Sequence, residues 1–213
     1  MRGIPEAAVR AVVEAGRRLA EQGWVPATAG NLSVRLEGGR VAITRSGFHK
    51  AYLTAEAVMA MDPEGRPENP ALRPSAETGL HLGAYRRFPE AGAVVHGHSV
   101  ANTVLSRRAG DAIRLQGYEL LKVFPGLPTH DAAVDVPVFD NDQDIGRLQR
   151  AVAARWDGMA ARGESIPPGY VIRGHGAYVW APDMEAALAR LEGLEFMLAC
   201  ELAGGGFPLG IRS

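Results

Sequence analysis

Two short segments near the start of the chain alternate apolar and polar residues on either side of a glycine pair. Residues 32–36 read Leu-Ser-Val-Arg-Leu, residues 40–44 read Arg-Val-Ala-Ile-Thr, and Gly38 and Gly39 lie between them. A period of two is typical of a β-strand with one buried face, and glycine readily adopts the positive φ angles of a tight turn. The pattern predicts a β-hairpin, so an antiparallel sheet begins early in the chain.

Helical and strand patterns alternate along the rest of the sequence. The first helix is amphipathic, with Ala8, Val12, Ala15 and Leu19 at helical spacing, and should end near Gly23. Further helices are predicted at residues 76–88, 100–106, 145–156 and 185–202, and further strands at 93–98, 134–138, 170–173 and 177–180. This order predicts an α/β sandwich with a mixed, mainly antiparallel sheet covered by helices. Because the sequence contains no repeat or linker, we expect residues 1–213 to form a single domain.

The charge balance argues against nucleic acid and membrane partners. Charged residues make up 22% of the chain and the formal net charge is −1, so no basic field is available to attract a polyanion. No apolar run approaches the roughly 18 residues that a transmembrane helix needs, and the start of the chain is interrupted by charges, unlike a signal peptide. We therefore expect a cytoplasmic protein whose partner is a small molecule.

Three histidines are candidates for a metal site. His96 and His98 are two apart in a predicted strand, so their imidazoles project from the same face, and His175 lies between Gly174 and Gly176. A catalytic zinc typically takes three protein ligands, and imidazole nitrogen is a common one. A polar strand end and a surface turn would explain the same histidines without a metal, but the three together favour one. The other histidines, His49, His81 and His130, are interpreted as surface or packing residues, with His81 nearest the site because it follows Glu77 on one predicted helix.

Three short turns are together rich in hydroxyl, amide and glycine groups, which is a pattern suited to holding a phosphate group. They contain Asn31, then Ser46 and Gly47, then Ser75, which precedes a predicted helix. Backbone N–H groups in such turns, and at a helix N-terminus, bind anions. Each segment is also explained by an ordinary turn, and Ser75 by a helix cap.

Taken in order, the motifs of this chain resemble those of the class II aldolase and adducin family. They are Gly-Asn-Leu-Ser at residues 30–33, Thr-Arg-Ser-Gly at 44–47, Pro-Ser-Ala-Glu at 74–77, His-Gly-His at 96–98 and Gly-His-Gly at 174–176. The resemblance implies a three-layer α/β/α sandwich and a homotetramer with active sites at subunit boundaries. It also implies zinc held by His96, His98 and His175, and a sugar phosphate held by residues at the matching turns: Asn31, Ser46, Gly47 and Ser75.

Residues 116–122, 136–145 and 173–180 resemble one branch of that family, the dehydratases of methionine salvage. Membership would imply zinc-dependent dehydration of 5-methylthioribulose 1-phosphate to 2,3-diketo-5-methylthiopentyl 1-phosphate. In that branch the segment matching Glu119 carries the catalytic acid/base, whereas the residues alone would make Glu119 an exposed helix charge. Glu77 matches the glutamate that serves the family's aldolases as metal ligand or acid/base, although an ordinary first-turn helix glutamate would look the same.

One residue departs from the pattern of the family's sugar-phosphate aldolases. Ala76 stands where the sugar-phosphate aldolases commonly have a second serine, so one hydroxyl donor to phosphate is missing. A sugar-phosphate aldolase or 4-epimerase remains the nearest alternative, and a non-catalytic adducin-like module is a more distant one. The segment 116–122 argues against the first and the three histidines against the second. For an apolar pocket around the methylthio group the candidates are Leu120, Phe124 and Tyr178.

Overall fold

A computed structural model describes residues 3–205, and residues 1–2 and 206–213 of the predicted domain lie outside the described residues. The described helices are α1 (Glu6–Glu21), α2 (Thr78–Arg87), α3 (Val100–Arg108), α4 (Ile145–Ala161) and α5 (Met184–Ala203). The described strands are β1 (Asn31–Arg35), β2 (Val41–Thr44), β3 (Val58–Met61), β4 (Ala93–Gly97), β5 (Ala112–Gln116), β6 (Ala133–Phe139), β7 (Gly169–Ile172) and β8 (Gly176–Ala181).

The strands form one eight-stranded sheet in the order β3-β2-β1-β4-β8-β7-β6-β5. Neighbouring strands are antiparallel except β6 and β7, which run parallel, so the predicted mixed and mainly antiparallel sheet is confirmed. The predicted hairpin is β1–β2, with Ser33 opposite Ile43 and both Gly38 and Gly39 at positive φ. The sequence patterns did not predict β3 and β5.

Helices cover both faces of the sheet and give the predicted α/β/α layers. On one face, α1, α3 and α5 pack over an apolar core in which Leu188, Leu191, Leu194 and Leu198 of α5 are almost fully buried. On the other face, α2 and α4 pack against each other over a second core that includes Trp156. Burying a leucine side chain contributes about 1.5–3 kcal/mol, so α5 is a principal source of stability.

Alternation along β4 decides where its histidines lie. Ala93 and Val95 contribute to the core beneath α5, whereas Val94 contributes to the core beneath α2 and α4. His96 therefore lies on the α2/α4 face, where its ring stacks on Tyr178 of the adjacent strand β8 at 4.0 Å between centroids.

Within the described residues, no helix is long and apolar enough to cross a membrane.

Candidate metal and substrate site

Strand pairing brings the three predicted metal ligands together. His96 lies near the end of β4, His98 follows that strand, and His175 lies in the turn between β7 and β8, where β8 is the antiparallel neighbour of β4. One ring nitrogen from each histidine lies within 4.8 Å of the other two. Gly176 is required here, because a Cβ at that position would lie 2.4 Å from the Gly97 carbonyl oxygen and 2.7 Å from His96 Cε1. The glycine beside His175 thus lets the turn close against β4.

Hydrogen bonds from Nδ1 orient two of these imidazoles so that their Nε2 atoms face the cluster. His96 Nδ1 donates to the carbonyl oxygen of Ala177 at 2.9 Å, and His175 Nδ1 donates to Asn141 Oδ1 at 3.2 Å. Each Nε2 then carries a lone pair, and His96 Nε2 is buried without a hydrogen-bond partner. Imidazoles that bind metals are usually oriented in this way. The donor set fits a first-row transition metal.

Glu77 lies at the N-cap of α2 and joins the cluster. Its Oε2 lies 3.3 Å from His96 Nε2, its Oε1 lies 3.0 Å from His175 Nε2, and Oε2 accepts a hydrogen bond of 2.7 Å from Asn31 Nδ2. Burial opposes ionisation, but positive charge within the histidine cluster and the hydrogen bond from Asn31 hold the pKa of Glu77 well below its usual range. The carboxylate is therefore ionised.

The buried histidines beside this carboxylate are neutral. Burial lowers the pKa of His96 well below its usual value, and burial together with the neighbouring His175 lowers the pKa of His98 to about 4. Neutral imidazole is the form that binds metal ions. Neutral imidazoles do not balance the negative charge of the Glu77 carboxylate. A bound cation would supply the balancing positive charge.

The predicted phosphate turns open into the same cavity, which has a volume of about 280 Å³. Asn31, Ser46, Gly47 and Ser75 all line it, together with Glu77, His98 and His175. Asn31 Nδ2 also donates to Ser75 Oγ at 3.1 Å, which links two of the three turns. Every predicted substrate and metal residue thus lines this cavity except His96, which is fully buried and contacts His98 and His175 from behind the cavity wall.

Two basic residues that the sequence patterns did not single out also line this cavity. Lys50 is 2% exposed, and its Nζ donates to the carbonyl oxygens of Thr28 at 2.9 Å and Phe48 at 2.8 Å. Burial lowers the pKa of Lys50 to about 8. The Arg45 guanidinium lies 5.0 Å from the centre of the Phe48 ring. Nothing in the local sequence indicates that Lys50 is buried, because its burial depends on how the segments containing Thr28 and Phe48 pack together.

Glu119 does not line the cavity. It begins a short 3-10 helix, Glu119–Val123, with its side chain 69% exposed, and its carboxylate pairs with Lys122 and faces His130 Nδ1 at 4.0 Å. The hydrogen bond from Lys122 lowers the pKa of Glu119. Of the residues expected around a methylthio group, Tyr178 and Phe124 are buried in the two cores, and Leu120 is partly exposed.

A second cavity of about 290 Å³ lies between α2 and α4. Its lining is mainly aromatic and aliphatic, including Phe88, Trp156 and Trp180. Because it lacks the converging imidazole, carboxylate and hydroxyl groups of the histidine cavity, we place the chemistry of the protein at the histidines.

These features define a class II aldolase-type site. Residues 10–202 match the family described as Class II Aldolase and Adducin N-terminal domain, and the chain belongs to that family.

Proteins of similar sequence indicate which branch of this family the chain resembles most. A methylthioribulose-1-phosphate dehydratase of Gluconacetobacter diazotrophicus is 59% identical over 196 residues, which cover 92% of this chain and 92% of that protein. A protein of the same name from Gluconobacter oxydans is 57% identical over 197 residues, covering 92% of this chain and 91% of its own. Among solved structures, an L-fuculose-1-phosphate aldolase from Thermus thermophilus is 28% identical with a TM-score of 0.72, and the match covers 95% of this chain and 99% of that one.

Proposed function

We propose that the protein dehydrates 5-methylthioribulose 1-phosphate to 2,3-diketo-5-methylthiopentyl 1-phosphate, a reaction of methionine salvage. The observation that carries the proposal is the identity of 59% to a relative named for this activity, extending over 92% of both chains. The cavity supports it, because three imidazoles and three phosphate-type turns open into or border one space. The geometry alone would also suit an aldolase, and the identity to the dehydratases favours dehydration.

We further propose that His96, His98 and His175 hold one zinc ion. The ligand set supports zinc, since three imidazoles with an open fourth position are typical of catalytic zinc sites. Bound zinc would supply a Lewis acid that polarises the C2 carbonyl of the substrate and stabilises the negative charge that develops when C3 is deprotonated. Ala177 and Asn141 would keep His96 and His175 in the tautomer that presents Nε2 to the ion.

The C1 phosphate would bind at the turns containing Asn31, Ser46, Gly47 and Ser75. Lys50 supports this assignment, because its buried ammonium group donates to two carbonyl oxygens that belong to two of the segments lining the cavity, and an ammonium group has three protons to donate. Lys50 would fix the segments containing Thr28 and Phe48 relative to each other and would bring positive charge close to the phosphate. Phosphate contacts of this kind position the substrate without taking part in bond breaking.

Glu119 would act as the acid/base that transfers protons during dehydration. Dehydration requires removal of the proton on C3 and protonation of the C4 hydroxyl group as it leaves as water, so the two transfers balance and one carboxyl group suffices. The resulting enol then tautomerises to the diketone. Glu77 would hold Asn31 and face the metal ligands, as its hydrogen bond to Asn31 and its distances to His96 and His175 support.

Since Glu119 does not line the cavity of its own chain, we propose that it enters the site of a neighbouring subunit in a homotetramer. The exposure of its side chain and the family's subunit-boundary active sites support this arrangement. The protein would act in the cytoplasm, as expected from its composition.

The alternative is a sugar-phosphate aldolase or 4-epimerase, which the position of Glu77 inside the cavity favours. Product analysis separates the two. Incubation of the zinc-loaded protein with 5-methylthioribulose 1-phosphate should yield a single product lighter by one water, detected by mass spectrometry. Two carbonyl fragments would identify an aldolase, and an isomer of unchanged mass an epimerase; either result would refute the dehydratase proposal.

A further inference from the structure

Behind the cavity, a line of buried polar side chains runs from Asn31 into the α2/α4 core. His81, which is fully buried on α2, contacts Asn31 Oδ1 through Nε2 and Ser33 Oγ through Nδ1 at 2.7 Å. Ser33 Oγ in turn lies 2.8 Å from Tyr85 Oη. Asn31, Ser33, His81 and Tyr85 are each at most 5% exposed, so the line is sealed from solvent. Groups buried in this way must satisfy one another.

The direction of every hydrogen bond along this line follows from its ends. The amide of Asn31 donates through Nδ2 to Glu77 Oε2 and Ser75 Oγ, so it leaves Oδ1 facing His81. Oδ1 can only accept, so His81 Nε2 must carry a proton. Burial lowers the pKa of His81 to about 4, so the ring is neutral and its Nδ1 accepts from Ser33 Oγ. Ser33 then accepts from Tyr85 Oη.

We infer that His81 is a positioning residue whose Nε2–H holds the amide of Asn31 in the one orientation that serves the phosphate turns. Without the donor, Asn31 Oδ1 would be buried and unpaired, and rotation of the amide would turn Oδ1 toward the carboxylate of Glu77 and the oxygen of Ser75. That arrangement is repulsive toward Glu77 and removes the N–H that faces Ser75. His81 therefore acts through Asn31 and does not contact the substrate.

A purely structural role for His81 makes different predictions. Such a histidine would fill a core position beside Tyr178, whose ring it meets edge-on at 5.7 Å, and its loss would lower stability alone. A positioning role instead links His81 to substrate binding and makes that link depend on Asn31. The two roles are separated by a nuclear magnetic resonance measurement and by a double-mutant cycle.

The resonance measurement concerns the tautomer and needs no substrate. In zinc-loaded protein labelled with ¹⁵N-histidine, long-range ¹H–¹⁵N spectra should show His81 as a neutral Nε2–H ring, with its signals identified by their loss in His81→Gln. A neutral Nδ1–H ring would place the proton toward Ser33 and overturn the inference. This result does not depend on the proposed function.

The double-mutant cycle uses His81→Leu and Asn31→Ala, and its kinetic form rests on the proposed function. His81→Leu should raise KM for 5-methylthioribulose 1-phosphate by about tenfold or more, while kcat changes much less. In the Asn31→Ala background the same change should have almost no further effect on KM. His81→Gln, which retains a donor and an acceptor, should recover most of the loss, and it covers the case in which His81→Leu does not fold.

Leu80→Ala is the matched control, since Leu80 is a buried neighbour on α2 without a polar group. It should lower Tm and leave KM unchanged. The cycle is repeated with Kd for inorganic phosphate as the readout, so that it decides the inference even if the protein does not turn over 5-methylthioribulose 1-phosphate. Equal effects of His81→Leu in both backgrounds, or an effect on Tm without one on KM or Kd, would leave His81 a structural residue and overturn the inference.

Discussion

Glu77 Oε1 lies 3.0 Å from His175 Nε2, although the two residues come from distant parts of the sequence. Glu77 caps α2 at the edge of a phosphate-type turn, and His175 lies in the turn between β7 and β8. Their contact joins the two halves of the site, because it sets the phosphate turns against the imidazole cluster. The predicted phosphate turns and two of the predicted metal ligands therefore line one cavity.

Ser75→Ala and Asn31→Ala should weaken substrate binding more than turnover. Each removes a donor to the phosphate group, and a hydrogen bond to a charged group contributes about 1.5–3 kcal/mol, so KM should rise roughly 10- to 100-fold. Interactions of equal strength in the ground and transition states act on KM. Ser165→Ala, at an exposed position outside the cavity, is the control. Steady-state kinetics that give an unchanged KM for both variants would remove the phosphate assignment.

Glu119→Gln should keep zinc and lose turnover. The variant preserves shape but cannot exchange a proton, so kcat should fall by roughly 10²–10⁴. An exposed glutamate without a catalytic role would instead give near-normal turnover and less than about 0.5 kcal/mol of stability change. Glu77→Gln is the paired variant, because an aldolase that uses Glu77 as its acid/base would make that change the severe one. Zinc analysis and kcat measured on both variants distinguish the two mechanisms.

Mixing two inactive variants should restore activity if Glu119 acts in a neighbouring subunit. Hybrids of Glu119→Gln and His98→Ala contain some sites with an intact histidine cluster from one subunit and an intact Glu119 from the next. Random exchange should recover about a quarter of the wild-type rate, since half of the subunits carry each intact residue. The control is each variant mixed with itself. Failure to recover any rate, with subunit exchange verified by mass spectrometry, would place Glu119 in the site of its own chain.

Local patterns predicted much of this fold and of its site. The alternation in β1, β2 and β4 determines which side chains face each core, and the same period of two correctly predicts that His96 and His98 lie side by side. β3 was missed because Val58–Met61 is buried on both faces and shows no alternation. β5 was missed although Ala112–Gln116 alternates buried and exposed residues, so the signal of a strand was present there. Lys50 was missed because its burial arises from packing between turns. Spacing gave no reason to place Glu119 near the histidines, and in the structure its side chain is exposed outside their cavity.

Glu195 on α5 should make stability fall as pH rises. Burial raises its pKa to about 7, while hydrogen bonds from Ser99 and Asn102 oppose the shift, and the usual value for glutamate is near 4.5. The folded state therefore binds more protons than the unfolded state between about pH 4.5 and 7, and stability decreases across that window. Glu195→Gln should remove the free-energy cost of ionising this buried carboxyl group. The free energy of unfolding should rise by up to about 3 kcal/mol above pH 7 and should not change below pH 4.5. Urea unfolding at several pH values measures this; equal stability gains at pH 4 and pH 8 would contradict it.

The most direct test of the account is the rate of 5-methylthioribulose 1-phosphate dehydration as zinc is returned to metal-free protein. We expect the rate to rise in proportion to bound zinc, up to one ion per chain. The variants His96→Ala, His98→Ala and His175→Ala should bind little zinc and gain little activity, whereas the exposed-histidine control His130→Ala should bind zinc like the wild type. Full dehydration without bound metal, or normal zinc content and normal rate in His175→Ala, would contradict the account.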